Sequence, residues 1–202
     1  MSDEVDKSRR HFLTAATAGM GAVGVVFTAV PFIESWKPSA RARALGAPVE
    51  VDLSKLEPGA MMTTMWRGSP IYIVHRTKEM LDRLAGNDPN LRDPASDESD
   101  QPPYAKNEAR ARDPEYLVLI GTCTHLGCLP KNRFEPGSVE IDVPGGWPGG
   151  FFCPCHGSKF DLAGRVFKGV PAPTNLRVPP YSFRDKSMLV IGLDDVNQKG
   201  VA

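Results

Sequence analysis

The chain has little of several features that would assign it to a common class. Its 24 basic and 24 acidic residues cancel, so its composition does not favour a nucleic-acid partner. It has no internal repeat and no glycine-rich phosphate-binding loop. Cysteine and histidine are scarce, with four of each among 202 residues. The positions of these few residues are therefore the most informative property of the sequence.

All four cysteines and two of the four histidines lie in two short stretches. The first box is GTCTHLGC, from Gly121 to Cys128, and the second box is FFCPCHGSKF, from Phe151 to Phe160. Three kinds of site use such residues: a structural zinc site, a pair of disulfides, or an iron–sulfur cluster with mixed ligands. Zinc would leave two cysteines over, and two disulfides would leave both histidines unexplained. The mixed cluster accounts for all six residues.

The N-terminal region combines an export signal with an apolar span. The pair Arg9-Arg10, followed by Phe12-Leu13, resembles a twin-arginine signal. No residue from Phe12 to Ile33 is charged, and a helix of that length can span a hydrocarbon core of about 30 Å. An ordinary secretory signal peptide is the alternative, but its apolar core is only about 7–15 residues long.

We expect this span to be retained as an anchor. An Ala-x-Ala pattern between Ala40 and Ala44 offers a cleavage site, but it lies well beyond the span. Basic residues flank the span equally, so the export signal decides its orientation, with the N-terminus in the cytoplasm and the remainder outside. The predicted divisions are a cytoplasmic N-terminus at 1–11, a transmembrane helix at 12–34, a flexible tether at 35–48 and a cluster-carrying domain at 49–202.

Short apolar alternations after the tether predict an all-β head. Strands are predicted in PVEVDL, in both halves of AMMTTMWRGSPIYIVHRT, and in EYLVLIG, SVEIDV, GFFC and SMLVIGL. TKEMLDRLA predicts one short helix. Residues 87–114 are polar and rich in proline and charge, which predicts a surface insertion with local flexibility.

The two boxes together resemble the Rieske iron–sulfur protein family, in the form that has an additional cysteine pair and serves cytochrome bc complexes. The resemblance extends over most of the chain, through WRGSPIYIVHRT, both boxes and GVPAPTNLRVPPY. It implies an antiparallel β-sandwich head with a small cluster-binding subdomain at about 121–175, preceded by one transmembrane helix. It also implies one Rieske-type [2Fe–2S] cluster per chain.

The resemblance assigns a role to each residue of the boxes that matches the family pattern. The implied cluster ligands are Cys123, His125, Cys153 and His156. The implied disulfide joins Cys128 to Cys155, and Ser158 is implied to hydrogen-bond a cluster sulfur.

Two further features concern the surroundings of the implied cluster. GVPAP, from Gly169 to Pro173, resembles a proline-rich loop that covers the cluster, with Val170 as an added residue. Where many respiratory members have a tyrosine that donates to a ligand sulfur, this chain has Phe160, so one hydrogen bond to the cluster is missing.

The resemblance implies an electron-transfer subunit of a respiratory quinol–cytochrome c oxidoreductase, which is not catalytic alone. It would take an electron from ubiquinol, with a proton through a histidine ligand, and pass the electron to a c-type cytochrome. His156 is expected to meet the quinol, with His125 beside it.

The expected partners are cytochrome b and c-type cytochrome subunits in a dimeric complex, and the expected location is a bacterial inner membrane, with a single pass and a periplasmic head. The runner-up is the Rieske small subunit of an exported molybdenum oxidoreductase such as arsenite oxidase, which the retained span and the tether disfavour.

Overall fold

The first part of the chain is helical. The computed structural model describes residues 6–195, and the chain divides into two compact units, Met1–Ala44 and Leu45–Ala202. Helix α1 spans Lys7–Ser35 and helix α2 spans Ala40–Gly46. Asp6 caps the start of α1, because its carboxylate accepts the backbone amides of Ser8 and Arg9 at 3.1 and 3.2 Å.

Among the described residues, α1 is the one helix long and apolar enough to cross a membrane. None of its residues is buried, and apolar side chains such as Phe27 are largely exposed. An apolar helix that is not covered by protein is stable in lipid rather than in water. The predicted span at 12–34 lies wholly within α1.

The predicted tether at 35–48 contains a helix that the sequence prediction missed. The Ser39 hydroxyl accepts the amide of Ala42 at 3.1 Å and so caps α2. Alanine, arginine and leucine, which fill most of α2, are strong helix formers. A helix of seven residues is nonetheless marginal in water when nothing packs on it. The tether is therefore partly ordered rather than structureless.

The second unit confirms the predicted all-β head. Its strands, in chain order, are β1 Val49–Asp52, β2 Met61–Trp66, β3 Ser69–His75, β4 Tyr116–Ile120, β5 Lys131–Arg133, β6 Gly150–Phe152, β7 Lys159–Phe160, β8 Tyr181–Phe183 and β9 Met188–Ile191. Helix α3 spans Lys78–Asp82, and two 3-10 turns span Ala85–Asn90 and Pro103–Ala105.

The strands form three antiparallel sheets of three strands each, in the orders β1–β9–β8, β2–β3–β4 and β5–β6–β7. Arg67 and Gly68 join β2 to β3, and both have positive φ angles, which match the twist of a tight hairpin. In the third sheet, between residues 131 and 160, β6 and β7 contain the two ends of the second box. This sheet lies within the predicted cluster-binding subdomain.

The core of the head is made by β3, β4 and β9. Ile71, Ile73, Leu117, Leu119 and Leu189 are all fully buried. Burial of one such side chain stabilises a fold by about 1.5–3 kcal/mol. The first Cys/His box follows β4 at the end of this core, and the second lies between β6 and β7 of the third sheet.

One strand prediction is wrong. Residues 138–143, SVEIDV, form turns and bends between β5 and β6, although they alternate as a strand would. Ile141 and Val143 are buried, but Val139 is 96% exposed. The amide of Ile141 bonds the nearby carbonyl of Ser138 at 3.3 Å rather than a neighbouring strand. The apolar alternation comes from a loop that anchors two side chains in the core.

Residues 87–114, predicted as a surface insertion, are mostly exposed or half-buried but are anchored in the head at several buried positions. Leu91, Ala105 and Arg110 are at most 1% exposed. The guanidinium of Arg110 donates to the carbonyls of Ala163 and Gly164 at 3.2 and 3.4 Å. Because backbone carbonyls and the side chain of Gln101 accept from the terminal nitrogens of Arg110, this polar residue can be buried where the sequence has no apolar pattern.

Candidate metal centre

Both boxes are loops held at the ends of strands. The first box follows β4, and the residues from Cys153 to Ser158 of the second box form the loop between β6 and β7. The two loops close in the same way. In each, the first cysteine accepts a backbone hydrogen bond from a glycine four residues later, Gly127 at 2.9 Å or Gly157 at 3.0 Å. Both glycines have positive φ angles, 79° and 76°, so this turn favours glycine.

The first cysteine of each loop also donates its own amide five residues along. Cys123 donates to the carbonyl of Cys128 at 2.7 Å, and Cys153 donates to that of Ser158 at 2.8 Å. The thiols of Cys123 and Cys153 are therefore presented on matching turns from two different loops.

The two free cysteines of the boxes are buried, whereas the two histidines of the boxes are partly or fully exposed to solvent. Cys123 and Cys153 are free thiols with exposures of 4% and 2%. His125 is half-buried and His156 is exposed, and their ring centroids are 4.8 Å apart at an angle of 85°. The site thus has a sulfur side facing the protein and an imidazole side facing out.

A disulfide between Cys128 and Cys155 ties the two boxes together, as the resemblance implied. The two half-cystines are 27 positions apart in the chain, which corresponds to about 3–4 kcal/mol of stabilisation in chain-entropy models. The sulfurs of Cys128, Cys153 and Cys155 lie within 4.8 Å of one another. This trio is not a metal-binding set, because a sulfur in a disulfide is not a thiolate. The cysteines that remain able to bind a metal are Cys123 and Cys153.

The environment of Cys123 suits a cationic partner. Burial raises the pKa of its thiol, and the backbone near His125 and the hydroxyl of Ser158 oppose that effect by hydrogen bonding. The neighbouring Cys153 raises the pKa further. A buried thiol such as that of Cys123 ionises readily only beside a positive charge, and a bound metal ion supplies it.

The buried hydroxyl of Ser158 links the second box to the proline-rich loop. Its Oγ accepts the amide of Ala172 at 3.1 Å. On the other side, the Thr124 hydroxyl of the first box donates to the carbonyl of Thr174 at 2.7 Å. Val170, the residue that looks like an addition to this loop, is 8% exposed and packs in the core. Residues 169–175 are thereby attached to both boxes.

Phe160 is fully buried at the end of the second box and pairs with Phe151 across β6 and β7. Its ring carries no donor, so it cannot hydrogen-bond a sulfur.

Sequence reasoning missed the polar core beneath the site. Arg76, Arg110 and Arg165 are each at most 2% exposed. Burial lowers the pKa of Arg76 and of Arg110 to about 10. The one sequence signal was the i,i+4 spacing of Asp161 and Arg165 directly after the second box.

The donor set fits an iron–sulfur cluster of mixed ligation. Each of two loops supplies one buried thiol and one outward imidazole, and the disulfide between the remaining two cysteines joins the loops. Together with the antiparallel head, these features define a protein of the Rieske [2Fe–2S] class.

Comparisons with known proteins agree. A family model described as "Rieske [2Fe-2S] domain" matches residues 105–181, and one described as "Ubiquitinol-cytochrome C reductase Fe-S subunit TAT signal" matches residues 1–39. The ubiquinol-cytochrome c reductase iron-sulfur subunit of Allochromatium vinosum is 56% identical over 94% of this chain and 91% of the relative. The same subunit of Rhodospirillum rubrum is 44% identical over 93% of each chain. The chain belongs to the family of ubiquinol–cytochrome c reductase iron–sulfur subunits.

Among solved structures, a chain titled "Hyperthermophilic respiratory Complex III" is 25% identical, with a TM-score of 0.47 over 87% of this chain and 98% of that chain.

Proposed function

We propose that this chain carries single electrons from ubiquinol to a c-type cytochrome, as the iron–sulfur subunit of a ubiquinol–cytochrome c reductase. The observation that carries the proposal is the arrangement of two buried thiols behind two outward imidazoles. The names of the relatives support the complex to which the subunit belongs. They do not favour the molybdenum oxidoreductase alternative.

In this proposal Cys123 and Cys153 hold one iron, and His125 and His156 hold the other. When bound, the cluster supplies a one-electron acceptor with a potential of about −150 to +300 mV, against about −400 mV for a plant-type ferredoxin. The two imidazoles account for this difference, because they are neutral where a ferredoxin has two more thiolates. The buried Ser158 hydroxyl, which in this proposal donates to a cluster sulfur, favours the added negative charge further.

His156 handles the proton. It is exposed, so the ring nitrogen that does not bind iron would be able to lose its proton to solvent. In that deprotonated form it would accept a hydrogen bond from a quinol hydroxyl and then hold the proton. The ring of His125 lies edge-on beside it and limits how His156 can turn. One side chain can thus take the proton at the place where the electron leaves the quinol.

The loops that carry the two histidines, and the proline-rich loop attached to them, also expose apolar side chains. Leu126 and Leu129 are 71% and 55% exposed, and Pro154 and Pro171 are exposed as well. Exposed leucines of this kind mark a surface that meets another apolar surface. In the proposal, this surface docks on cytochrome b and excludes water from the quinol hydroxyl.

The apolar helix α1 anchors the subunit in a membrane. We assign that membrane to the bacterial inner membrane, with the N-terminus in the cytoplasm and the head in the periplasm. The match of residues 1–39 to a twin-arginine signal model supports this orientation. The oxidising periplasm also permits the disulfide between Cys128 and Cys155. The complex is proposed to be dimeric, with cytochrome b and c-type cytochrome subunits.

The proposal is tested in membranes that contain the complex with either the wild-type chain or a histidine variant. His156→Ala should lose iron and abolish the reduction of cytochrome c by ubiquinol. His75→Gln is the matched control, because His75 lies on β3 and its Nδ1 bonds the carbonyl of Leu56 at 2.8 Å, outside both boxes. The wild-type chain should contain two irons and two sulfides. Zinc in place of iron, or full turnover in His156→Ala, would contradict the proposal.

A further inference from the structure

Residues 89–100, which we call the strap, run alongside the proline-rich loop and its flanks. Backbone hydrogen bonds join the two segments at both ends. The amide of Lys168 donates to the carbonyl of Asn90 at 2.8 Å, and the amide of Val178 donates to that of Asp100 at 3.1 Å. The strap is thus fixed to the residues immediately before and after the loop at 169–175.

The centre of the strap holds the end of the loop through Asn175. This side chain is fully buried, and its amide nitrogen donates to the carbonyl of Asp93 at 3.0 Å and to the hydroxyl of Ser96 at 2.9 Å. Its amide oxygen accepts the backbone amide of Val166 at 2.8 Å. A buried side-chain amide with both ends satisfied fixes one conformation of the chain around it.

Arg92 reaches from the strap to residues 170–173 of the proline-rich loop, which we call the crest. One terminal nitrogen of its guanidinium donates to the carbonyl of Val170 at 3.2 Å, and the other donates to that of Pro173 at 3.3 Å. The planar fork of arginine suits two acceptors at once, which a lysine ammonium cannot match. Arg92 therefore bridges the two ends of the crest, and Ala172 lies between them.

Ala172 connects this bridge to the metal centre. Its amide donates to the Oγ of Ser158 at 3.1 Å. Because Oγ accepts a hydrogen bond from that amide, the hydroxyl proton of Ser158 is left to donate elsewhere, and in the proposed function it donates to a cluster sulfur. A crest that shifts would release Ser158 to rotate away from that sulfur.

We propose that Arg92 is a positioning residue, which clamps the crest of the proline-rich loop so that the Ala172 amide holds Ser158 Oγ and keeps its hydroxyl oriented toward the cluster. The expected effect of Arg92 on the midpoint potential rests on the proposed function, because it requires a cluster. The expected effect of Arg92 on the conformation of the loop does not. The contacts of Arg92 give residues 87–114 a role that their polar composition did not indicate.

The test compares three variants in the assembled complex. Arg92→Gln removes the fork, Arg92→Lys keeps the charge but reaches one carbonyl at most, and Arg133→Gln removes an exposed charge from β5. Arg133 is a matched control because its side chain bonds only the adjacent carbonyl of Asn132, at 3.1 Å, among the described residues. Two quantities are measured: the hydrogen-exchange rate of the Ala172 amide, and the midpoint potential from a redox titration followed by electron paramagnetic resonance.

Arg92→Gln should speed the exchange of the Ala172 amide about tenfold, the effect of losing one or two hydrogen bonds from a charged donor. It should also lower the midpoint potential. In Arg92→Lys, both the exchange rate and the midpoint potential should lie between the values for Arg92→Gln and wild type. Arg133→Gln should change neither quantity. Faster exchange with an unchanged potential would overturn the positioning role, as would an equal shift in Arg133→Gln. A wild-type complex without a Rieske signal would contradict the proposed function instead. In that case the exchange rates would still show whether Arg92 holds the loop in place.

Discussion

Asp161 and Arg165 form an ion pair in which both side chains are 1% exposed, with Oδ2 and Nε 2.8 Å apart. The pair closes the turn that follows the second box, because the other carboxylate oxygen of Asp161 accepts the amides of Ala163 and Arg165 at 2.9 and 2.8 Å. Arg165 also donates to the carbonyl of Leu84 at 2.9 Å. The turn at 161–165 is thereby fixed to the rest of the head.

Asp161→Asn should therefore destabilise the head strongly. It removes the buried carboxylate partner of the Arg165 guanidinium and leaves only Asp88, which is half-exposed, at 2.7 Å. The loss should therefore lie near the lower end of the about 3–5 kcal/mol that breaking a buried pair typically costs. Denaturant unfolding of the full chain in detergent, followed by tryptophan fluorescence, measures the change. Asp82→Asn is the control, because Asp82 pairs with Lys78 at the same i,i+4 spacing but on the surface. Equal losses of stability in the two variants would contradict the importance of the buried pair.

Phe160→Tyr should raise the midpoint potential of the cluster. The added hydroxyl lies in a fully buried position at the end of the second box, where a donor to sulfur stabilises the extra electron. A redox titration of the complex measures the shift. Phe183→Tyr, on β8 in a different sheet, should leave the potential unchanged. An unchanged or lower potential in Phe160→Tyr would exclude the missing hydrogen bond as a cause of tuning.

The stability of the head should fall at alkaline pH partly through Tyr181. Burial raises the pKa of Tyr181 to about 12 from an ordinary value of 10, although the amide of Arg112 donates to its hydroxyl. The folded state keeps this proton longer than the unfolded chain does. The contribution of the neutral phenol is therefore complete below pH 10 and is lost as the pH rises towards 12.

The measurement compares the unfolding free energies of wild type and Tyr181→Phe at several pH values. The advantage of wild type over the variant should shrink by roughly 2 kcal/mol between pH 9 and pH 12. The difference between two chains isolates Tyr181 from the other tyrosines. A gap that stays constant with pH would show that Tyr181 does not contribute to this dependence.

The tether should need freedom of movement for turnover. Prolines at Ala42 and Ala44 fix φ and break α2, and should slow the reduction of cytochrome c severalfold while the cluster signal is kept. Glycines at the same two positions also weaken α2 but leave the chain free, so they should preserve turnover better than the prolines. Equal rates in wild type and the proline variant would count against a mobile tether.

Much of the head and the site could be predicted because the decisive signals are local. The two boxes place their cysteines and histidines within a few residues of each other, and short alternations reveal strands such as β1, β3 and β9. The disulfide between Cys128 and Cys155 followed from resemblance, since four cysteines alone allow several pairings.

The remaining features depend on contacts that no local pattern records. Arg110 and Asn175 appear in polar stretches, and only the carbonyls that surround them in the fold make their burial possible. The apolar alternation of SVEIDV suggested a strand, but residues 138–143 bond locally rather than to a neighbouring strand. Helix α2 was missed because alanine and arginine in a short segment suit a flexible linker as well as a single helical turn.

The central claim is that the exposed His156 meets quinol at the docking surface of a cytochrome bc complex. Electron paramagnetic resonance of ascorbate-reduced membranes, with and without an inhibitor of quinol oxidation, tests it most directly. The account predicts a Rieske-type signal whose shape changes when the inhibitor replaces quinol beside His156. A Rieske signal that the inhibitor leaves unchanged would contradict the quinol site, and the absence of any such signal after reduction would contradict the cluster itself.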